Sequence, residues 1–298
     1  MLGNILCCTL VVPRFAATLE AWQRWLDYRL IGKGYVSAAQ AKVWGAEAMA
    51  GRAMAVLVAA CGEPPYLRLI EGSAPTGYAP LRTFGWNAIE LGVSDPYALA
   101  RDLRDSPFRV IVPPRPLPFD PRLHAMQVIG PGDELLYLTQ IPGVDPPLGL
   151  RAARVRVDAP FIAILGGAAL DPLLEFYRLT FGNDTIAETP TVIRIMNETF
   201  GLPPEHATPL GIVRLAPGFL LELDGCPAGA DPRPRHPGEL PPGLGLVSFE
   251  VAARSWPRLD WRGEPPTALY ELPYEGARVG VVEGAAGEWL ELVERAGD

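Results

Sequence analysis

Two glutamates stand where strand-like sequence would not ordinarily put them. Glu222 in FLLELDG (219–225) and Glu291 in EWLELVE (288–294) each interrupt an apolar run. A charge there suits a strand only if it faces solvent or a cavity. If both faced one cavity, desolvation and mutual repulsion would raise one pKa and give an acid/base pair working without a metal. His124 and His206 stand at the entrances of two hairpin-like stretches, where an imidazole can shuttle protons near neutral pH. Arg68 in PYLRLIEG (65–72) and Tyr137 in ELLYLTQ (134–140) hold corresponding places. Facing inward, they would bind an anion or polarise a carbonyl, Tyr as donor and Arg as charge. Cys7 and Cys8 are adjacent, so at most one can face a given side of a strand. There is no GxSxG elbow, HExxH pair or P-loop lysine motif, and the GPG at 130–132 is a hairpin turn with no helix after it.

The elements that must position these residues recur. RLHAMQVIGPGDELLYLTQI (122–141) reads as strand, turn, strand, and HATPLGIVRLAPGFLLELDG (206–225) repeats it. Apolar first strands begin near residues 5, 85, 160 and 245, a period of roughly 80 residues. Leu19, Trp22, Leu26 and Leu30 predict a helix over 18–30 stopped by Gly32 and Gly34, and an Ala- and Met-rich stretch predicts another over 38–59. Pro96 at a first helical position, after Ser94 or Asp95 as cap, opens a third helix. ALDPLLEFYRLTFG (169–182) is a fourth, ended by Gly. Four strand–helix–strands units result.

Composition sets the class. Of 298 residues, 49 % are hydrophobic and 20 % charged, a globular balance. Proline is abundant, 33 residues, with clusters at 113–121, 142–147 and 227–242 that read as loops and linkers. A formal charge of −8 without a Lys/Arg block argues against nucleic acid or an anionic membrane as partner. Four cysteines without CxxC spacing fit a reduced, cytoplasmic setting. The apolar start, MLGNILCCTLVVPRF, has no basic segment before it and reads as a first β-strand, not an export signal.

A first strand, then a helix with an aromatic pair and a Gly (AWQRWLDYRLIG and EFYRLTFG), then closing strands of LLEL form (FLLELDG and EWLELVE) resemble the vicinal oxygen chelate superfamily. That superfamily includes glyoxalase I, bleomycin-resistance proteins and extradiol dioxygenases. The resemblance implies an α+β fold of four βαβββ modules paired into two cups: modules one and two in residues 1–145, three and four in 146–298. It also implies a metal held by His or Gln from first strands and Glu from closing strands. The first-strand positions fall near Cys7 or Cys8, Asn87 or Ala88, Ile162 and Leu246, none of them His or Gln; the closing positions are Arg68, Tyr137, Glu222 and Glu291. Transition metals in open sites want imidazole with carboxylate, so the expected cofactor is none.

The functional expectation is an isomerase or lyase acting on a small apolar carbonyl or aromatic compound. Glu222, Glu291, His206 and His124 are its catalytic candidates, and Arg68, Tyr137, Asn87 and Gln140 its substrate-binding ones. A sequestration protein of the bleomycin-resistance type and a metal-dependent dioxygenase with altered ligands are the alternatives. A small molecule is the expected partner, and the reading allows a homodimer.

Overall fold

The computed structural model describes residues 1–252, 256 and 259–294. Module one runs β1 (Ile5–Val12), α1 (Phe15–Trp25), β2 (Arg29–Tyr35), α2 (Ala38–Trp44), β3 (Ala53–Val58) and β4 (Tyr66–Glu71). Module two is β5 (Gly85–Val93), α3 (Pro96–Asp102), β6 (Arg109–Pro116), β7 (His124–Ile129) and β8 (Leu135–Gln140). Module three is β9 (Val157–Gly167), α4 (Leu170–Phe176), β10 (Thr185–Ala187), α5 (Arg194–Phe200), β11 (Leu210–Arg214) and β12 (Leu220–Gly225). Module four is β13 (Gly243–Val251), β14 (Thr267–Ala268), β15 (Arg278–Glu283) and β16 (Trp289–Glu294). Of the Trp-rich segment after β13, residues 253–255 and 257–258 lie outside the described residues.

Helix signals read correctly where a cap was present. Asp95 accepts from the amides of Tyr97 and Ala98 with Pro96 in the first turn, satisfying donors that a helix start leaves open. The helix expected over 18–30 instead ends near Trp25: Asp27 has φ 59°, and residues 29–35 pair with 53–58 as β2 and β3. Gly32 and Gly34 therefore lie inside a strand rather than ending a helix. The stretch 38–59 likewise divides, because Gly45 takes a left-handed conformation that caps α2.

Within each module the first and closing strands are parallel neighbours, as in β1–β4 and β9–β12. The modules join through antiparallel first strands, β1 with β13 and β5 with β9. Two eight-stranded sheets result, in the orders β14-β15-β16-β13-β1-β4-β3-β2 and β10-β11-β12-β9-β5-β8-β7-β6. This corrects the expected pairing. Modules one and four form one cup (cup one) and modules two and three the other (cup two), so a division at 145/146 separates neither. Each cup is completed within a single chain.

Alternate residues of each strand serve different cores. Leu10, Leu69, Ile89, Leu136 and Leu165 meet α1 and α4 residues in a core shared by both sheets. On the other face, α2 lays Ala41 and Trp44 over Val11, Ile70 and Leu246 of cup one. In cup two, α5 lays Ile195 and Met196 over Ala88, Ile162 and Ile164.

The halves are tied by two matching clamps. Trp22 Nε1 donates to Glu134 at 2.8 Å, and that carboxylate also accepts from the Gly132 amide at 2.7 Å. Tyr177 OH donates to Glu288 at 2.9 Å, which also accepts from the Ala286 amide at 2.8 Å. The helix aromatics of modules one and three thus anchor the hairpin turns of modules two and four. A Cβ on Gly130 would lie 2.1 Å from the Glu134 carboxylate, which is why this turn needs glycine. Glu134→Ala strands two buried donors, and the expected loss is about 1–3 kcal/mol. Thermal denaturation of Glu134→Ala beside Glu134→Gln checks this; equal melting of both variants and the parent would contradict it.

Candidate active site

Cup one is filled by an ion pair. Arg68 on β4 and Glu291 on β16 are both fully buried, with Nη2 and Oε2 3.1 Å apart. Glu291 also accepts from Trp44 Nε1 and Tyr274 OH, each at 2.6 Å, and from the Ser248 hydroxyl. Arg68 donates from Nε to Thr9 Oγ1 at 2.9 Å and from Nη1 to Tyr274 OH. Both charges therefore have partners, as buried charges require. Cys7 faces this network, with burial pushing its thiol up to about 12 while Arg68 opposes the shift; Cys8 lies in the shared core. The Arg68 guanidinium stands at a closing-strand position where the resemblance implies a metal ligand, and Thr9, Ser248 and Glu291 complete the network around it. A divalent cation does not fit beside that charge.

Cup two is different in kind, because its carboxylates lack counter-ions among the described residues. Glu222 and Asp224 sit two residues apart on β12 and share the face of Leu220, away from Leu221 and Leu223. Glu90 and Tyr137 are direct neighbours across β5 and β8. Asp224 is 1 % exposed, and neither of its oxygens has a hydrogen-bond partner among the described residues. The Tyr137 hydroxyl, also buried, has none either. Glu90 accepts from Thr139 Oγ1 at 2.5 Å. Burial pushes Asp224 up to about 7, and Glu90 to about 7 against the Thr139 bond. Glu222, half-buried, rises well above the carboxylate range through burial, then through Asp224 and Glu90. Burial and the same three carboxylates hold the Tyr137 phenol well above its ordinary value.

The predicted site residues divide accordingly. Glu222 and Glu291 lie in different sheets and do not form the expected pair. Arg68 and Tyr137 both face inward but in different cups, so the inward pairs are Arg68 with Glu291 and Tyr137 with Glu222. Asn87 lies at the floor of cup two. His124 points to the helix side, where its Nδ1 meets Tyr97 OH of α3 at 2.9 Å. Gln140, its cross-strand partner, donates to the Ser94 carbonyl at 2.7 Å. His206 is in the loop before β11, and its backbone carbonyl accepts from Asn197 at 2.9 Å. Glu90 and Asp224 were missed, although legible. Glu90 interrupts GWNAIELGV as Glu222 interrupts its own strand, and Asp224 follows Glu222 at the two-residue spacing of one strand face.

A cleft of about 270 Å³ opens at the edge of cup two between Leu81, Arg109, Ile129, Leu135, Ile195 and Glu198.

No family model matches the chain, and no curated protein matches it. Solved structures do. Glyoxalase I from Zea mays superposes with a TM-score of 0.62 at 13% identity, covering 98% of this chain and 92% of that one. The chain has the glyoxalase-like α+β fold. A candidate dioxygenase from Bacillus subtilis gives a TM-score of 0.62 at 12% identity, over 99% of this chain and 86% of the other. A fosfomycin resistance protein from Listeria monocytogenes, matching 47% of this chain and 93% of its own length at 12% identity and a TM-score of 0.32, was crystallised with Mn(II). The expectation of no cofactor does not stand: the match along nearly the whole chain is to glyoxalase I, a member of the superfamily whose resemblance implies a metal, and missing His or Gln at the first-strand positions does not decide the matter. In cup two the inward carboxylates supply hard oxygen donors, but no three His, Cys, Asp or Glu among the described residues stand together as a ready ligand set. Among the described residues, no helix is long and apolar enough to cross a membrane.

Proposed function

We propose that cup two is the active site of an enzyme that moves a proton on a small, largely apolar carbonyl or aromatic compound, in an isomerase or lyase reaction. The observation that carries this is the buried, unpartnered Asp224 carboxylate beside Glu222. Two close carboxylates with no counter-ion cannot both ionise readily, so they titrate as a pair holding one proton near neutral pH. Glu222, raised further, keeps that proton and serves as the acid; Asp224 is the base. Groups whose pKa values are driven apart by their surroundings mark acid and base roles. Tyr137 supplies a free hydroxyl donor beside them. A cytoplasmic setting belongs to the same proposal and rests on four free thiols.

The test is exchange of acidic C–H protons into D2O, followed by proton NMR over a panel of small ketones, 2-oxo acids and aryl ketones. Glu222→Gln and Asp224→Asn are each expected to lower the exchange rate by about 10²–10⁴-fold. Rates equal to the parent in both variants would sink the proposal. Sequestration is the second reading, favoured by the apolar cluster of Ile162, Ile164, Ile212 and Leu220 inside cup two; it predicts tight binding and no exchange.

A further inference from the structure

Asn87 lies where β5 bulges: Trp86 pairs with Leu165 and Ala88 with Ile164, which leaves Asn87 as the extra residue. A bulge re-aims a side chain, and bulges gather beside active sites. Here the side chain is turned over Gly166, where a Cβ would come 2.3 Å from Asn87 Nδ2. Gly166 is the cross-strand neighbour of Asp224, so the amide reaches the floor of cup two next to the unpartnered carboxylate.

The orientation of that amide is fixed from behind. Arg233 Nη2 donates to Asn87 Oδ1 at 3.0 Å. A guanidinium only donates, so the amide oxygen must face Arg233 and Nδ2 must face away from it. Asn87 is 6 % exposed, and its Nδ2 has no partner among the described residues. Arg233 comes from the Pro-rich linker and is held by Thr83 Oγ1 at 3.1 Å and by the Pro242 and Leu244 carbonyls at 3.3 and 3.0 Å. No carboxylate pairs with it among the described residues, and burial lowers its pKa. A half-buried cation that lies over the Tyr78 ring at 5.5 Å and has no carboxylate partner among the described residues, behind an amide donor without acceptor, suits negative charge that arrives with a ligand.

Resting on the reading of cup two as a proton-transfer site, we propose that Asn87 Nδ2 receives the substrate's carbonyl oxygen, with Arg233 as its positioning residue. The substrate class is then a carbonyl compound with an acidic C–H beside the carbonyl. Asp224 takes the proton, the C–H electron pair becomes the C=C bond, and the carbonyl π pair moves to oxygen. Asn87 hydrogen-bonds that enolate oxygen under the field of Arg233. Return of a proton from Glu222 to carbon restores the carbonyl and gives the isomer. No oxidant or reductant is needed.

4-Nitrophenol is the probe, because its phenolate has a visible absorption band of its own. At about pH 6, where both raised carboxylates retain protons, the parent chain is expected to bind phenolate over phenol by on the order of tenfold or more. Asn87→Asp keeps the shape and supplies Arg233 with a counter-ion, so the melting temperature holds or rises while the phenolate preference disappears. Arg233→Met lowers the preference, and Arg233→Lys restores part of it. A parent chain that takes no phenolate, or an Asn87→Asp chain that takes it as the parent does, overturns the proposal. Phenolate preference together with proton exchange indifferent to Glu222→Gln and Asp224→Asn would leave the oxyanion site standing and remove the proton-transfer reading.

Discussion

An Arg68→Met chain is expected to lose about 3–5 kcal/mol of stability, because Glu291 is then left charged and buried without its cation. Four hydrogen bonds converge on that carboxylate, yet only Arg68 offsets the charge. The double variant Arg68→Met with Glu291→Leu should recover most of the loss, since a buried ion pair replaced by apolar residues of similar volume is often neutral. The coupling between the sites, read from urea denaturation of the parent, both single variants and the double, should therefore be large. Near-additive losses would show that the two residues act separately and that cup one is not organised by their pairing. Neither single variant should alter proton exchange, because the carboxylates assigned to that reaction lie in the other sheet.

Asp224→Asn is expected to stabilise the protein while slowing exchange. An acid raised from its ordinary 3.8 to about 7 in the fold binds more protons folded than unfolded between those values. Stability therefore falls as pH rises through this window and levels off above it. Glu90, Glu134 and Glu288, each pushed to about 7 mainly by burial, act in the same direction. Removing the ionisable group at Asp224 should gain on the order of 4 kcal/mol at pH 8, and almost nothing at pH 4, where the parent carboxyl is already protonated. Melting curves of parent and variant across that range decide it. A variant less stable than the parent at pH 8 would mean that Asp224 has a compensating partner. Stability given up to keep an unpaired charge is characteristic of a site held for function.

The legible parts of this chain were those written locally. Glu222 could be found because a charge breaks an apolar run, and Asp95 with Pro96 because a cap is a short-range pattern. The four modules were legible because their first strands recur. Which first strands pair was not: β1 and β5 are both apolar runs, and the choice of β13 over β5 as partner for β1 is a long-range packing outcome that no local pattern encodes. Sharing of one site by Glu222 and Glu291 fell with it. Leu26 and Leu30 continued a helical spacing past Trp25, but pairing of residues 29–35 with β3 outweighed it. Arg233 was passed over because a Pro-rich linker reads as loop; its role depends on docking against residues 82–87, with which the linker exchanges backbone hydrogen bonds through Asp231.

Whether Glu222 and Asp224 share a proton in cup two is read directly from a carbon-13 NMR titration of the Asp and Glu carboxyl resonances. The account predicts that Asp224, assigned through Asp224→Asn, titrates near 7, that Glu222 titrates above it, and that each shifts when the other is replaced. Both groups titrating independently at ordinary carboxylate values, near 4, would contradict it.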